Sequence, residues 1–281
     1  MLENPLLAVI VRHMKDIDCA LITGASAGLG EEFARQLAPR CRNMVLVARR
    51  GDRLAALAAE LSSLHDVKLR CFEADLSDTA QRKQLHAALT EKSLFPDLLI
   101  NNAGLGDYGT FIDAQWEKLE SMMRVNMVAL THLSHLFLPA MQERKHGAIV
   151  NISSLASILP IPDFSVYAAT KAFVSSFSEA LRIELREHGI SVLAVCPGPV
   201  HTEFGKVAAR GEGEAFDGMR EWFYVDKERV VAESIRAMDN DQARVYPGWQ
   251  IAIAAAGISL LPLAILRLIM ATRPRRIAVD S

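Results

Sequence analysis

Cysteine is sparse in this chain, and what little there is stands unpaired. Four occur in 281 residues, Cys19, Cys41, Cys71 and Cys196, and none forms a C-x-x-C pair. That scatter disfavours a disulfide scaffold or a zinc ribbon. Free thiols in a reducing compartment follow, so a cytoplasmic protein is expected. An excess of one charge is also lacking. Thirty-one Lys and Arg stand against 33 Asp and Glu, a net charge of −2, and no basic block appears. A nucleic-acid partner is therefore not expected. The short apolar run Leu6 to Val11 has neither a basic start nor a small-residue cleavage site, so it does not read as a signal peptide, and it is too short for a span. His132 and His135 are spaced to share a metal, but no carboxylate or cysteine falls in register with them. Helix packing is the expected role, and no metal is expected. Internal repeats and low-complexity linkers are missing. What the chain does have is apolar content, 51% against 23% charged, enough for the core of one large α/β domain.

Apolar runs alternate with helical patterns from residue 17 to about 246. Strands are expected at Ile17–Thr23, Met44–Ala48, Val67–Phe72, Leu98–Ile100, Ala148–Ile152, Ile190–Cys196 and Arg244–Tyr246. Helices are expected at Glu31–Ala38, stopped by Pro39, and from Asp52 as a cap through Leu54, Leu57, Leu61 and Leu64. Further helices are expected at Gln81–Leu89, Ala114–Leu138 ending at Pro139, Phe164–Glu187 and Val230–Met238. Apolar strands separated by helices indicate a parallel sheet covered on both faces. The reading is an N-terminal extension (1–16), a single domain (17–249) with Thr202–Val225 as a long loop region, and an apolar tail (250–281).

Where the first strand becomes the first helix, the sequence runs Thr23-Gly24-Ala25-Ser26-Ala27-Gly28-Leu29-Gly30. Glycines there allow a tight turn and close approach of a pyrophosphate, which the helix N-terminus would hold through its free N–H groups. The same cluster also makes a βα turn with no ligand. The G-x-x-x-G-x-G spacing resembles that of the classical short-chain dehydrogenase/reductase family. Further motifs resemble the family in the same order: Asn101-Asn102-Ala103-Gly104, Asn126 in the long helix, Ser153-Ser154, Tyr167-Ala168-Ala169-Thr170-Lys171, and Pro197-Gly198-Pro199-Val200-His201-Thr202. The resemblance covers roughly residues 17 to 246. It implies a doubly wound, Rossmann-like domain with seven parallel strands.

Tyr167 and Lys171 are four apart on a helix and so share a face. Alone, such a pair is commonplace. A nearby ammonium is expected to stabilise the phenolate and lower its pKa toward the working range of a general acid and base. The resemblance makes Ser154 the hydroxyl that holds the substrate carbonyl, with Ser153 as the neighbouring candidate. It makes Asn126 the residue that supports a water and a proton relay through the lysine; read alone, Asn126 is a helix-internal amide. It also implies that Lys171 and Tyr167 contact a nicotinamide ribose. The cofactor-binding set it implies is Gly24, Ser26, Gly28, Leu29, Gly30, Arg49, Asp75, Leu76, Asn102, Ala103, Gly104, Tyr167, Lys171, Pro197, Gly198, Val200 and Thr202.

The second strand ends Leu46-Val47-Ala48-Arg49-Arg50, so the carboxylate that would bind a ribose 2′-hydroxyl is missing. A guanidinium at Arg49 suits a 2′-phosphate, and NADP(H) is expected as cofactor. Leu155, Ile158, Leu159, Ile161, Phe164, Phe204, Phe216, Met219, Trp222 and Phe223 would line the substrate end. That inventory suits a small-molecule carbonyl substrate of apolar character, such as a 3-ketoacyl or steroid-like ketone, although loop aromatics also pack on their own domain. The expected function is an NADPH-dependent oxidoreductase acting on a ketone or secondary alcohol. The alternatives are an NADP(H)-binding regulatory protein without turnover and an epimerase or dehydratase of the extended branch.

His201 is given no catalytic role, and Cys196 reads as a buried small hydrophobe. Residues 251–270 are nearly all apolar, broken by Pro262 and Arg267 and followed by Arg273, Arg275 and Arg276. Three readings stand: a cover over the site or a surface between subunits of a homo-oligomer (dimer or tetramer), a peripheral membrane contact, or a span.

Overall fold

The computed structural model describes residues 16–210 and 221–272. The expected N-terminal extension lies outside that range except for Asp16, as do Phe216 and Met219. Seven strands form one wholly parallel sheet in the order β3-β2-β1-β4-β5-β6-β7. They are β1 (Ile17–Thr23), β2 (Cys41–Ala48), β3 (Lys68–Glu73), β4 (Leu98–Asn101), β5 (Gly147–Ile152), β6 (Ile190–Val195) and β7 (Arg244–Val245). Register is fixed by pairs such as Thr23 opposite Val47, Asn101 opposite Asn151 and Val195 opposite Val245.

The central strands are buried along almost their whole length because helices cover both faces. On one face lie α1 (Gly28–Leu37), α2 (Gly51–Leu64) and α8 (Lys227–Asp239), which press Phe33, Leu37, Leu54, Leu61 and Val231 onto Ile22 and Leu46. The other face carries α3 (Thr79–Glu91), α5 (Leu130–Arg144) and α6 (Ser165–Leu185), with Leu85, Leu133, Phe137 and Leu181 against Leu21 and Leu99. This is the doubly wound Rossmann-like domain that the sequence implies.

Several boundaries differ from expectation. Helix α1 starts three residues early, inside the glycine turn, and Pro39 sits in the first turn of a short 3-10 segment, Ala38–Arg40. A missing N–H is harmless there. Asp52 does not cap α2. The preceding position is Arg50, and Asp52 lies in the first turn, where its charge suits the helix dipole. Leu64 is exposed. Pro139 does not end its helix. The chain runs through α4 (Trp116–Met123), a π-helical segment (Arg124–Ala129) and α5 to Arg144, where Lys145 turns left-handed at φ 49°. Pro139 and His135 both face solvent, where water can satisfy the carbonyl that loses its partner. Among the described residues the loop after β6 contains a short helix, α7 (Glu203–Ala208), and a 3-10 segment, Glu221–Phe223, and the tail folds as α9 (Trp249–Leu260) and α10 (Leu263–Ala271).

Candidate active site

The strand order reverses between β1 and β4, and open α/β sheets take ligands outside the carboxyl ends of their strands at such a switch point. A cavity of about 450 Å³ lies there. It runs from the ends of β2 and β3, past the glycine turn, to the start of α6. All the expected site residues line it except Gly30 and Asn126, which stand behind the wall.

The glycine turn is held by neutral hydrogen bonds. Buried Thr23 donates Oγ1 to the Ile100 carbonyl at 3.2 Å and accepts from the N–H groups of Asn102 and Ala103, each at 3.0 Å. The Asn102 amide donates to the Thr23 and Gly24 carbonyls at 2.9 and 3.2 Å. Gly24 has φ +66°, and a Cβ there would lie 2.9 Å from the Ala103 Cα. At Gly30 a Cβ would lie 2.3 Å from the Gly24 carbonyl oxygen, so Gly30 is needed for helix–turn packing. One layer below, Asn101 donates to Asn151 (2.9 Å) and Ser134 (3.1 Å), and Asn151 donates to Ser178 (2.9 Å).

At the β2 end, Arg49 is exposed and lines the cavity rim. Its neighbour Arg50 donates to Ser26 Oγ at 3.2 Å and to Glu203 at 2.8 Å, and Arg53 donates to the other Glu203 oxygen at 2.8 Å. These two guanidiniums hold the Glu203 carboxyl down at about 2. Asp75 accepts from the Ser77 N–H at 2.9 Å.

At the far end, Tyr167 and Lys171 lie one turn apart on α6, both buried. The Tyr167 ring stacks on Phe164 (4.1 Å between centroids) and meets Phe204 of α7 at 5.5 Å. Lys171 Nζ lies 5.6 Å from the tyrosine ring centroid and donates to the Ile152 carbonyl at 2.8 Å. The expected lowering of the tyrosine pKa is not what this arrangement produces. Burial pushes Tyr167 up to about 12, with a hydrogen bond to Ser154 pulling the other way, and burial brings Lys171 down to about 8. Burial of the ring sets the direction, and the Lys171 ammonium is turned toward the Ile152 carbonyl.

The two serines after β5 differ. Ser153 donates to the Lys171 carbonyl at 2.8 Å and pairs with Ser175 at 2.8 Å, so it anchors α6. Ser154 accepts from the Ala156 N–H at 3.1 Å and lines the cavity. Asn126 sits in the π-helical segment, a distortion frequent at functional sites. It accepts from the Leu105 N–H (2.8 Å) and donates to the Leu105 carbonyl (2.9 Å) and to Thr170 Oγ1 (3.0 Å), pinning the loop after Gly104. Thr202 caps α7 by accepting from the Phe204 N–H at 3.3 Å.

Leu155, Leu159, Ile161, Phe164 and Phe204 line the cavity, whereas Ile158 and Phe223 pack behind it with α9. Trp222 is exposed and meets Trp249 at 5.6 Å. His201 stacks on Tyr224 and pairs with Glu221 outside the cavity. His132 accepts from buried Arg82 at 3.0 Å. Cys196 is fully buried, and burial raises its pKa. Sequence reasoning missed Glu203 and the pair Asp107–Arg210, which joins the loop after β4 to the end of α7. The partners lie 103 residues apart, and no local pattern marks them.

The family model for short chain dehydrogenases matches residues 18–213. This chain belongs to the short-chain dehydrogenase family. The chain is similar to serine 3-dehydrogenase of Rhizobium radiobacter, at 36% identity over 202 residues, covering 71% of this chain and 78% of that one. It is also similar to the very-long-chain 3-oxoacyl-CoA reductase of Bos taurus, at 31% identity over 192 residues; that match covers 67% of this chain and 61% of the reductase. A short-chain dehydrogenase from Sphingobium yanoikuyae, solved in complex with NADPH, superposes with a TM-score of 0.78 at 32% identity, covering 94% of this chain and 99% of that one.

The chain's residues suit the nicotinamide dinucleotide that its family implies. The free N–H groups at the start of α1 and the close glycine turn provide a cradle for two phosphates, and the cavity is long enough to reach from there to Tyr167. A side chain at Gly28, with φ +60°, would meet Thr202 at 3.3 Å and narrow that cradle.

Proposed function

We propose that this short-chain dehydrogenase is an NADP(H)-dependent oxidoreductase that interconverts an apolar ketone and its secondary alcohol. The observation that carries this reading is convergence. Ser154, Tyr167 and Lys171 meet at the apolar end of a single cavity whose other end is the glycine turn and Arg49. When bound, the nicotinamide supplies or accepts the hydride at the carbonyl carbon. The Ser154 hydroxyl donates to the substrate oxygen and Tyr167 passes its proton to the same oxygen, which completes the alcohol. Burial keeps Tyr167 protonated, the form that reduction consumes. Lys171 would hold the ribose, and its positive charge would offset the negative charge of the phenolate as it forms, while Asn126 keeps the loop at Gly104 in place behind it. Phe164 and Phe204 keep water from the reacting oxygen.

The preference for NADP(H) is supported by Ala48 where an acidic side chain would bind the 2′-hydroxyl, by Arg49 at the rim, and by the NADPH in the solved relative. Leu159, Ile161, Phe164 and Phe204 support an apolar substrate, with 3-ketoacyl and steroid-like ketones the leading classes. Exposed Val128 and Phe173 on the long helices support a homo-oligomer, dimer or tetramer.

The test is a ketone panel, from short diketones to long-chain ketoacyl thioesters, read by loss of NADPH absorbance. Oxidation that depends on the ketone is expected, strongest for the apolar members. Binding of NADPH with no turnover on any member would leave a cofactor-binding regulatory protein instead. Arg49→Ala should weaken NADPH far more than NADH, and equal losses would remove Arg49 from the 2′-phosphate.

A further inference from the structure

Among the described residues, the tail helices leave the largest share of apolar side chains uncovered. α9 carries no charged residue, yet it buries only Gln250, Ile251 and Ala255 against the domain. In α10 only Leu266 and Met270 are buried. Trp249, Ile253, Leu260, Leu263, Leu268 and Ile269 are all exposed, Leu260 at 85% and Leu268 at 68%. A helix that is apolar on every side belongs inside a protein or in lipid, and most of this one is in neither.

The two helices are bent by 115° at the Leu261–Pro262 break. Twelve residues rise about 18 Å and nine about 14 Å, so neither helix crosses a hydrocarbon core of about 30 Å. Among the described residues no single helix is long and apolar enough to cross a membrane. The geometry suits a pair lying along a surface.

Charge narrows the choice of partner. From Trp249 to Val279 the sequence has no acidic residue, and it holds Arg267, Arg273, Arg275 and Arg276. Arg267 lies beside exposed Leu268, within the apolar face. A two-fold contact between copies would set this basic tail against itself, because a two-fold interface matches a patch with its own image. An anionic headgroup layer complements it, with Arg267 at the phosphates and the leucines beneath it. Trp249, which touches Trp222, marks the edge of the face, the depth at which tryptophan sits in a bilayer.

We propose that the α9–α10 face docks the enzyme on the surface of an anionic lipid bilayer. The cavity wall then lies next to lipid, because Ile251 and Ala255 pack in one cluster with Leu155 and Val225.

The test is sedimentation of the full chain with vesicles of phosphatidylcholine alone and of phosphatidylcholine and phosphatidylglycerol in equal parts. The anionic vesicles should retain the protein, and high salt should weaken that retention. Leu260→Asp with Leu268→Asp should lower retention by about tenfold, leaving thermal unfolding and the oligomeric state unchanged, since both side chains are exposed. Brominated phosphatidylcholine added to the mixture should quench tryptophan emission, and Trp249→Phe should remove most of that quenching. No retention on anionic vesicles would overturn the proposal, as would retention that survives the double substitution. A double variant that dissociates an oligomer while still binding vesicles would assign the face to a second copy.

Discussion

The two sides of the cavity are held by different forces. On the β1/β4 side, buried neutral groups act through short hydrogen bonds: Thr23 with Ile100, Asn102 and Ala103, and the Asn101–Asn151 ladder below them. On the α7 side the links are ionic and reach across the chain: Glu203 with Arg50 and Arg53, and Asp107 with Arg210. The Glu203 links are exposed, so salt and water weaken them. Asp107 is buried, and that link resists screening. The side expected to cradle the phosphates is therefore built to stay put, while the side expected to meet the substrate is fastened at one firm point and one soft one. Tyr167 is where they meet, between Phe164 and Phe204.

That contrast can be tested from its strongest point downward. Tyr167→Phe keeps both stacking partners and removes the proton. Turnover should fall by about 10² to 10⁴-fold with cofactor affinity kept, measured by NADPH titration beside steady-state rates. Retained turnover would separate the chemistry from this ring. The pH profile should show the effect of burying Lys171. Its pKa is lowered to about 8, so the ammonium is present below that pH and lost above it. The reduction rate should hold on the acid side and fall on the alkaline side by about tenfold per pH unit, as for loss of one proton. A profile that is flat through pH 8 would place the working proton elsewhere.

Thr23→Val tests the neutral side. It leaves the half-buried Ala103 N–H short of a partner, while the Asn102 N–H and the Ile100 carbonyl keep their bond to each other at 3.1 Å, and should cost about 1 kcal/mol of folding stability, independent of salt, by denaturant titration. Glu203→Gln should have the smallest effect. It should change NADPH affinity by about twofold or less, and any difference from wild type should vanish at high salt. A salt-insensitive loss would mean that the soft fastening is firm, and the contrast between the two sides would fail.

Much of this arrangement could be read in the residues before the fold. β1 was expected at Ile17–Thr23 and lies there, because five consecutive buried positions between a charge and a glycine leave little freedom. The glycine turn and the Tyr167–Lys171 spacing could be read because each depends on neighbours only a few positions away. Two kinds of feature escaped. One was solvent exposure: the sequence marks Pro139 as a helix end and Leu64 as core, but both face water, where a missing hydrogen bond or a bare leucine costs little. The other was distance. Arg50 reads as a strand-end charge until Glu203 arrives from 153 positions away. The tyrosine pKa needed the burial of the ring, to which the contacts with Phe164 and Phe204 contribute.

Gly198 lies in the loop after β6, beyond Cys196 and Pro197, and a Cβ placed on it would come within 2.4 Å of Ile251 Cδ1. The loop after the sixth strand and the first turn of α9 are thus in van der Waals contact, with no room for a methyl group between them. A shortened protein that stops before Trp249 would lose the buttress behind this loop, so removing the apolar end to improve handling would alter the chamber it was meant to leave intact.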